Sequence, residues 1–248
     1  MEMKQIVIVG ATSAIAAACA RLWLAREPVR LVLMARDGGR AERLAADLRL
    51  RYPQSDIIAQ EAGFDDPQAI GASVTRLAEQ APIDIALVAH GYLPDQAACQ
   101  DDLACCRQVL WVNGVSPLLY AEAFAHSMAQ AGHGRLALIG SVAGDRGRRS
   151  NYLYGAAKAM VARYAEGLQH RFAGSDVRVT LVKPGPTASP MTAHLSGTLR
   201  LASAESVARR MVAAIDRGQP QVYAPAHWRL VMWVIRHLPA ALFNRLDL

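Results

Sequence analysis

Short apolar runs recur along the chain, and each is followed by a longer segment with helical spacing. Gln5 to Val9 and Val29 to Met34 are continuous and rich in β-branched residues, the pattern of strands buried on both faces of a parallel sheet. Further runs at 55–60, 83–89, 134–140, 177–183 and 220–224 bring the strands to seven. Between them, apolar residues recur every three or four positions from the turn after Val9 to about Arg26, and over 39–51, 67–80, about 103–131, 151–173 and 203–217, as helices with one buried face require. Strands alternating with helices imply right-handed crossovers and predict an α/β fold, one doubly wound, seven-stranded parallel sheet. Past the last strand, Trp228 to Phe243 is apolar and predicts a tail helix. The chain therefore divides into a main domain, 1–224, and an apolar, basic extension, 225–248.

The strand ends carry the chemistry-bearing residues. The first strand runs into Gly10-Ala11-Thr12-Ser13-Ala14-Ile15-Ala16 and then a helix. That geometry offers free amides and a positive dipole end to a pyrophosphate, as in a Rossmann dinucleotide loop. Ala14 and Ala16 stand where such loops usually carry glycine. Arg36, past the second strand, suits a ribose 2′-phosphate and favours NADPH over NADH; the bland alternative is a solvated arginine, and Asp37 blurs the contrast. Asp65 either meets the adenine amino group or caps a helix. Gly91 permits close approach of a cofactor, while the preceding His90 reads as incidental. Asn113-Gly114 is unfavourable inside a helix, and the asparagine side chain is expected to distort it and hold a water leading to Lys158.

Ser141 follows an apolar run ending at Ile139, and Tyr154 and Lys158 lie four apart on one face of the next helix. An ammonium beside a phenol favours the phenolate and brings its proton transfer nearer neutral pH. A serine hydroxyl held at the same point stabilises a carbonyl oxygen as it gains charge. The trio suits ketone reduction or alcohol oxidation. After the sixth strand, Pro184-Gly185-Pro186-Thr187-Ala188-Ser189 supplies hydroxyls and amides able to orient a nicotinamide carboxamide.

Composition changes this picture little. A hydrophobic fraction of 52% and a charged fraction of 19% describe a globular chain. The net charge of +6 is spread without a Lys/Arg block, so no nucleic-acid partner is expected. Cys19, Cys99, Cys105 and Cys106 lack metal-clamp spacing; free thiols and no metal are expected. No charged-then-apolar leader precedes the first strand, so no signal peptide is expected, and no apolar run reaches spanning length. Three arginines, Arg146, Arg148 and Arg149, crowd the loop before Tyr154. They are either an anion clamp for substrate or a solvated loop. The tail, with Arg229, Arg236, His237 and Arg245 flanking its apolar stretch, either lies in a membrane interface or covers the domain or a second subunit.

Taken in order, Gly10 with its loop, Asn113, Ser141, Tyr154-x-x-x-Lys158 and Pro184-Gly185 resemble the short-chain dehydrogenase/reductase family along essentially the whole chain. The resemblance implies Tyr154 as acid/base, Lys158 tuning it and holding the nicotinamide ribose, Ser141 polarising the carbonyl and Asn113 holding a relay water. Ala89-His90-Gly91 replaces the family's usual Asn-Ala-Gly, and Ser189 its usual threonine. The loop 141–152 and the segment 224–239 also resemble the reductase half of the decaprenylphosphoryl-ribose 2-epimerase system, which implies a keto group on a lipid-linked or anionic sugar-like substrate. A 3-ketoacyl thioester reductase, a general carbonyl reductase and a non-catalytic dinucleotide-binding regulator are the alternatives. By analogy, a cytoplasmic homodimer, peripheral to the inner membrane face if the tail meets lipid, is expected.

Overall fold

Alternation of side chains along each strand builds two hydrophobic layers, one on either face of a single sheet. In the computed structural model, which describes residues 3–195 and 201–246, the strands are β1 (Lys4–Val9), β2 (Val29–Ala35), β3 (Asp56–Glu61), β4 (Ile83–Val88), β5 (His133–Ile139), β6 (Asp176–Pro184) and β7 (Gln221–Ala224). All pair in parallel, in the order β3-β2-β1-β4-β5-β6-β7. Ile6 and Ile8 of β1 face a core shared with α1 (Ala14–Leu24), α2 (Gly38–Arg51) and α8 (Ala204–Asp216). Val7 and Val9 face the opposite core, shared with α3 (Pro67–Gln80), α6 (Ser116–Ala131) and α7 (Tyr152–Arg171). The sheet is wound both ways from the β1–β4 boundary, and the crevice beyond those strands' carboxyl ends is where such folds bind ligands.

Two departures from the expected elements bear on the site. The long helix near 103–131 is broken. A short helix, α4 (Gln96–Gln100), and α5 (Leu103–Leu110) precede a π-helical turn, Trp111–Val115, before α6 resumes. The Ser116 amide reaches back five residues to the Trp111 carbonyl. Pro117 explains the widening. It has no N–H to donate to the Asn113 carbonyl four residues back, so the ladder cannot close normally there. The Asn113 side chain adds to the break, its Nδ2 donating to the Val109 carbonyl four residues back.

The cysteines also differ from expectation. The reversal between α4 and α5 brings Cys99 and Cys105 to a Cα separation of 5.2 Å, and they are joined as a disulfide. Cys19 is a buried thiol whose pKa desolvation pushes up to about 12, and Cys106 is free. The tail forms α9 (Trp228–His237) and α10 (Ala240–Phe243). Met232, Trp228 and Ile235 of α9 pack on Val142 and Tyr223. Among the described residues, no helix is long and apolar enough to cross a membrane.

Candidate active site

The β1–α1 turn forms one wall. Gly10 has a φ of +79° and lies so close to the β4 end that a Cβ there would sit 2.5 Å from the His90 amide nitrogen. Only glycine meets both demands. Ser13 occupies the N-cap of α1 but its side chain makes no bond to the helix. The hydroxyl and the first amides of α1 therefore border a cleft of about 460 Å³, which Gly10, Thr12, Ala14, Arg36, Gly91 and Ser189 also line. An anion fits the helix start.

At the far end of this cleft, Arg36 lies 5.2 Å above the Phe64 ring, which stacks on His90 at 4.1 Å. Arg40 lines the same end. Asp37 lines it too, with one carboxylate oxygen capping α2 by accepting from the Arg40 amide at 2.8 Å. Asp65 is exposed and does not line the cleft; the cap of α3 is its neighbour Asp66, which accepts from the Gln68 and Ala69 amides. Phe64 takes the wall position expected of Asp65. His90 is a structural histidine: Nε2 is 3.0 Å from the Ser116 hydroxyl, and burial drives its pKa down to about 3. It is neutral at any ordinary pH.

The cleft continues into a cavity of about 170 Å³ lined by Ile15, Ser141, Tyr154, Lys158, Pro184, Gly185 and Thr187. Ser141 follows β5 in an extended conformation, and its hydroxyl accepts from the Ala143 amide at 3.1 Å at the start of a 3-10 turn, Val142–Gly144. Two glycines let α7 lie against that turn. A Cβ on Gly155 would be 2.8 Å from the Ala143 carbonyl oxygen, and one on Gly144 would be 2.8 Å from the Ala159 amide nitrogen. The contact brings the Ser141 and Tyr154 side chains together on the wall of one cavity. Lys158, one turn on, donates from Nζ to the Ile139 carbonyl at 3.0 Å and lies 5.8 Å from the Tyr154 ring centre.

The electrostatics differ from the sequence expectation. Desolvation raises the Tyr154 pKa to about 12, and the neighbouring Ser141 hydroxyl opposes this only in part. Lys158, 3% exposed, has its own pKa lowered by desolvation to about 8. Burial acts on both groups more strongly than the ammonium acts on the phenol, so Tyr154 rests as the neutral acid.

Asn113 does not enter either cavity. Its Oδ1 accepts from the Tyr92 amide at 2.9 Å and its Nδ2 donates to the Val109 carbonyl at 3.2 Å. The side chain thus ties the segment after β4 to the π-helical turn. The arginine loop is also divided. Arg146 donates to the carbonyls of Ile235 and Leu238 and lies 3.8 Å from the Phe243 ring centre, so it holds the tail, not a ligand. Arg149 is exposed and outside the cavity. Arg148 alone of the three lines it. Sequence reasoning overlooked Asn151, which joins Arg148 there, and Met191. It also overlooked Asp145, which accepts from Lys183 Nζ at 2.6 Å and from the Tyr223 hydroxyl at 2.7 Å behind the Ser141 turn. Gly185 carries the indole of Trp228: a Cβ there would lie 2.0 Å from its Nε1.

Comparison with known proteins agrees with this architecture. The short chain dehydrogenase family model matches residues 4–199. An uncharacterised oxidoreductase of Streptomyces coelicolor is 32% identical over 247 residues, 98% of this chain and 96% of that one. One of Mycobacterium tuberculosis is 33% identical over 242 residues, 97% and 96% of the two chains. A short-chain dehydrogenase from Sphingobium yanoikuyae, solved in complex with NADPH, superposes with a TM-score of 0.82 at 26% identity, covering 96% of this chain and 98% of that one. The chain belongs to the short-chain dehydrogenase/reductase family and is an NAD(P)-dependent oxidoreductase.

Proposed function

We propose that the protein reduces a ketone to a secondary alcohol, with NADPH as the preferred cofactor. The observation that carries this is the meeting of Ser141, Tyr154 and Lys158 on the wall of one cavity, with Lys158 buried one turn from the tyrosine. The β1–α1 turn and the α1 amides hold the pyrophosphate, Arg36 and Arg40 face the adenosine end, and Lys158, Pro184, Gly185, Thr187 and Ser189 border the nicotinamide end. A bound nicotinamide supplies the hydride. Tyr154 gives its phenolic proton to the carbonyl oxygen, and the Ser141 hydroxyl holds that oxygen as charge develops. Because burial keeps Tyr154 protonated, the site is poised for reduction at neutral pH. Alcohol oxidation needs the phenolate, and its rate should climb with pH toward the Tyr154 pKa. Tyr154→Phe is expected to abolish turnover while NADPH still quenches tryptophan fluorescence; turnover at the wild-type rate refutes the role.

The substrate in this reading is a polar ketone. A lipid-linked or anionic sugar-like molecule, as in the decaprenylphosphoryl-keto-sugar reductases, remains the finer proposal, with a 3-ketoacyl thioester as its competitor. With Arg146 engaged by the tail, Arg148 is the one cation of the loop on which an anion clamp in the cavity rests. A homodimer and a peripheral membrane contact through α9 complete the proposal, the latter supported by a helix face of exposed Leu230, Trp233 and Val234 beside Arg229 and Arg236.

A further inference from the structure

We propose that Arg148 and Asn151 form a hydroxyl-reading subsite beside the reacting carbonyl, so that the substrate is a ketone bearing a hydroxyl on a neighbouring carbon. The inference rests on the reductase reading above and names its substrate class. Seven α-helix starts carry a Ser, Asp or Asn able to cap, and Ser13 and Asn151 are the two of these that do not. Asp37, Asp66, Asp95, Asp102 and Ser203 each accept from the amides of their own helix. Asn151 begins α7 and is equally able to cap it, yet its side chain makes no bond to the helix. Another residue does that work: Gln96 Oε1, from α4, accepts from the Leu153 amide at 3.0 Å. Asn151 is thereby released into the catalytic cavity. Its Oδ1 is buried there without a partner, and so is Nε of Arg148, which lines the same cavity. The two are joined by a turn in which the Asn151 amide donates to the Arg148 carbonyl at 3.1 Å.

The chemistry of the pair selects the ligand. An arginine Nε–H only donates and an amide oxygen only accepts. A carboxylate or phosphate satisfies the arginine but sets an acceptor against Asn151 Oδ1. An ammonium satisfies the asparagine and repels the arginine. A hydrocarbon leaves both buried groups unpaired, which is costly. A hydroxyl accepts from one and donates to the other. Because Ser141 and Tyr154 line this cavity too, the hydroxyl lies near the carbon that is reduced.

The test compares 2-hydroxycyclohexanone with cyclohexanone as NADPH-dependent substrates, and 1,2-cyclohexanediol with cyclohexanol as calorimetric ligands of the enzyme saturated with NADP⁺. Sites that hydrogen-bond a substrate hydroxyl discriminate strongly against analogues lacking it, so kcat/KM should favour the hydroxyketone by at least about 100-fold. Asn151→Ala and Arg148→Met should each lower that ratio at least about tenfold and weaken diol binding. Equal turnover of the two ketones, or a preference that survives both variants, overturns the subsite and leaves the reductase reading standing. Failure to reduce either ketone, with diol binding that both variants weaken, supports the subsite and removes the reductase reading. No preferential binding of the diol together with no turnover of the hydroxyketone overturns both.

Discussion

Lys158 is the residue on which burial acts most plainly. Its ammonium is desolvated between α7 and the end of β5, and its pKa falls from 10.5 to about 8. The sign follows from linkage. Between those values the unfolded chain holds a proton that the folded chain has released, so stability contributed by this group rises with pH from about 8 to 10.5 and the full penalty applies below 8. Lys158→Met should therefore be more stable than wild type at pH 7, by on the order of 3 kcal/mol. The gap should close by pH 10.5. Urea unfolding of the cofactor-free protein at both pH values measures it; a variant less stable at pH 7 would contradict the desolvation argument. Arg36 is judged by a second measurement. Arg36 and Arg40 line the cleft beside Asp37, and if Arg36 meets a 2′-phosphate, Arg36→Ala should raise KM for NADPH about tenfold or more while changing that for NADH little. Equal effects on both cofactors would assign Arg36 to the wall alone. At this scale the sequence was informative about residue types that face the crevice, because strand ends are easily located. It did not foresee the partners of Asn113 and Arg146 or the neighbour that caps α3 beside Asp65, because a bridging amide, a tail contact and a cap are made with distant groups or with backbone that no spacing rule describes.

Elements around the Ser141 turn are held by charge as well as by packing. Asp145 and Lys183 are 3% and 5% exposed and 2.6 Å apart, and the Tyr223 hydroxyl donates to the other carboxylate oxygen. The pair ties the turn after β5 to β6 and β7. Lys183→Met would leave a buried carboxylate with one partner and should cost about 3–5 kcal/mol. Replacing both, Asp145→Leu with Lys183→Met, should recover most of that, as removal of both charges also removes their desolvation. A double variant as unstable as the single one, by denaturant midpoint, would mean the pair is not the source of the loss. The elements themselves were largely legible: α3 spans Pro67–Gln80 as its periodicity predicts, and the other principal strands and helices deviate by a residue or two. The π-helical turn was legible as a distortion at Asn113, but not the part of its cause that lies in an N–H that Pro117 lacks.

Across the whole molecule, the tail is built into the site instead of appended to it. Its inner face seals Val142 and Tyr223, Trp228 rests on Gly185, and Arg146 holds the carbonyls at its far end. Truncation would thus disturb catalysis and docking together. Surface changes separate the two. Leu230 and Trp233 are 68% and 59% exposed, and Leu230→Ser with Trp233→Ser should keep turnover while reducing flotation with anionic liposomes at least about fivefold, apolar area and adjacent arginines both favouring such a surface. Flotation equal for the two proteins would remove the membrane reading, and a halved mass by light scattering in the variant would assign the face to a second copy.

Strand count, winding and the placing of Tyr154 and Lys158 on one face of a helix were determined by the sequence alone, because periodicity and fixed short spacings are local properties that backbone geometry converts directly into faces and ends. Tertiary structure decided what each remaining polar group is free to do. Asp37 is shared between the start of α2 and the cleft, Arg146 is taken up by the tail, Gln96 releases Asn151 by capping in its place, and burial outweighs the lysine in setting the Tyr154 proton. Each of these depends on which distant group reaches a donor, an acceptor or a charge first, and on how much water that contact removes.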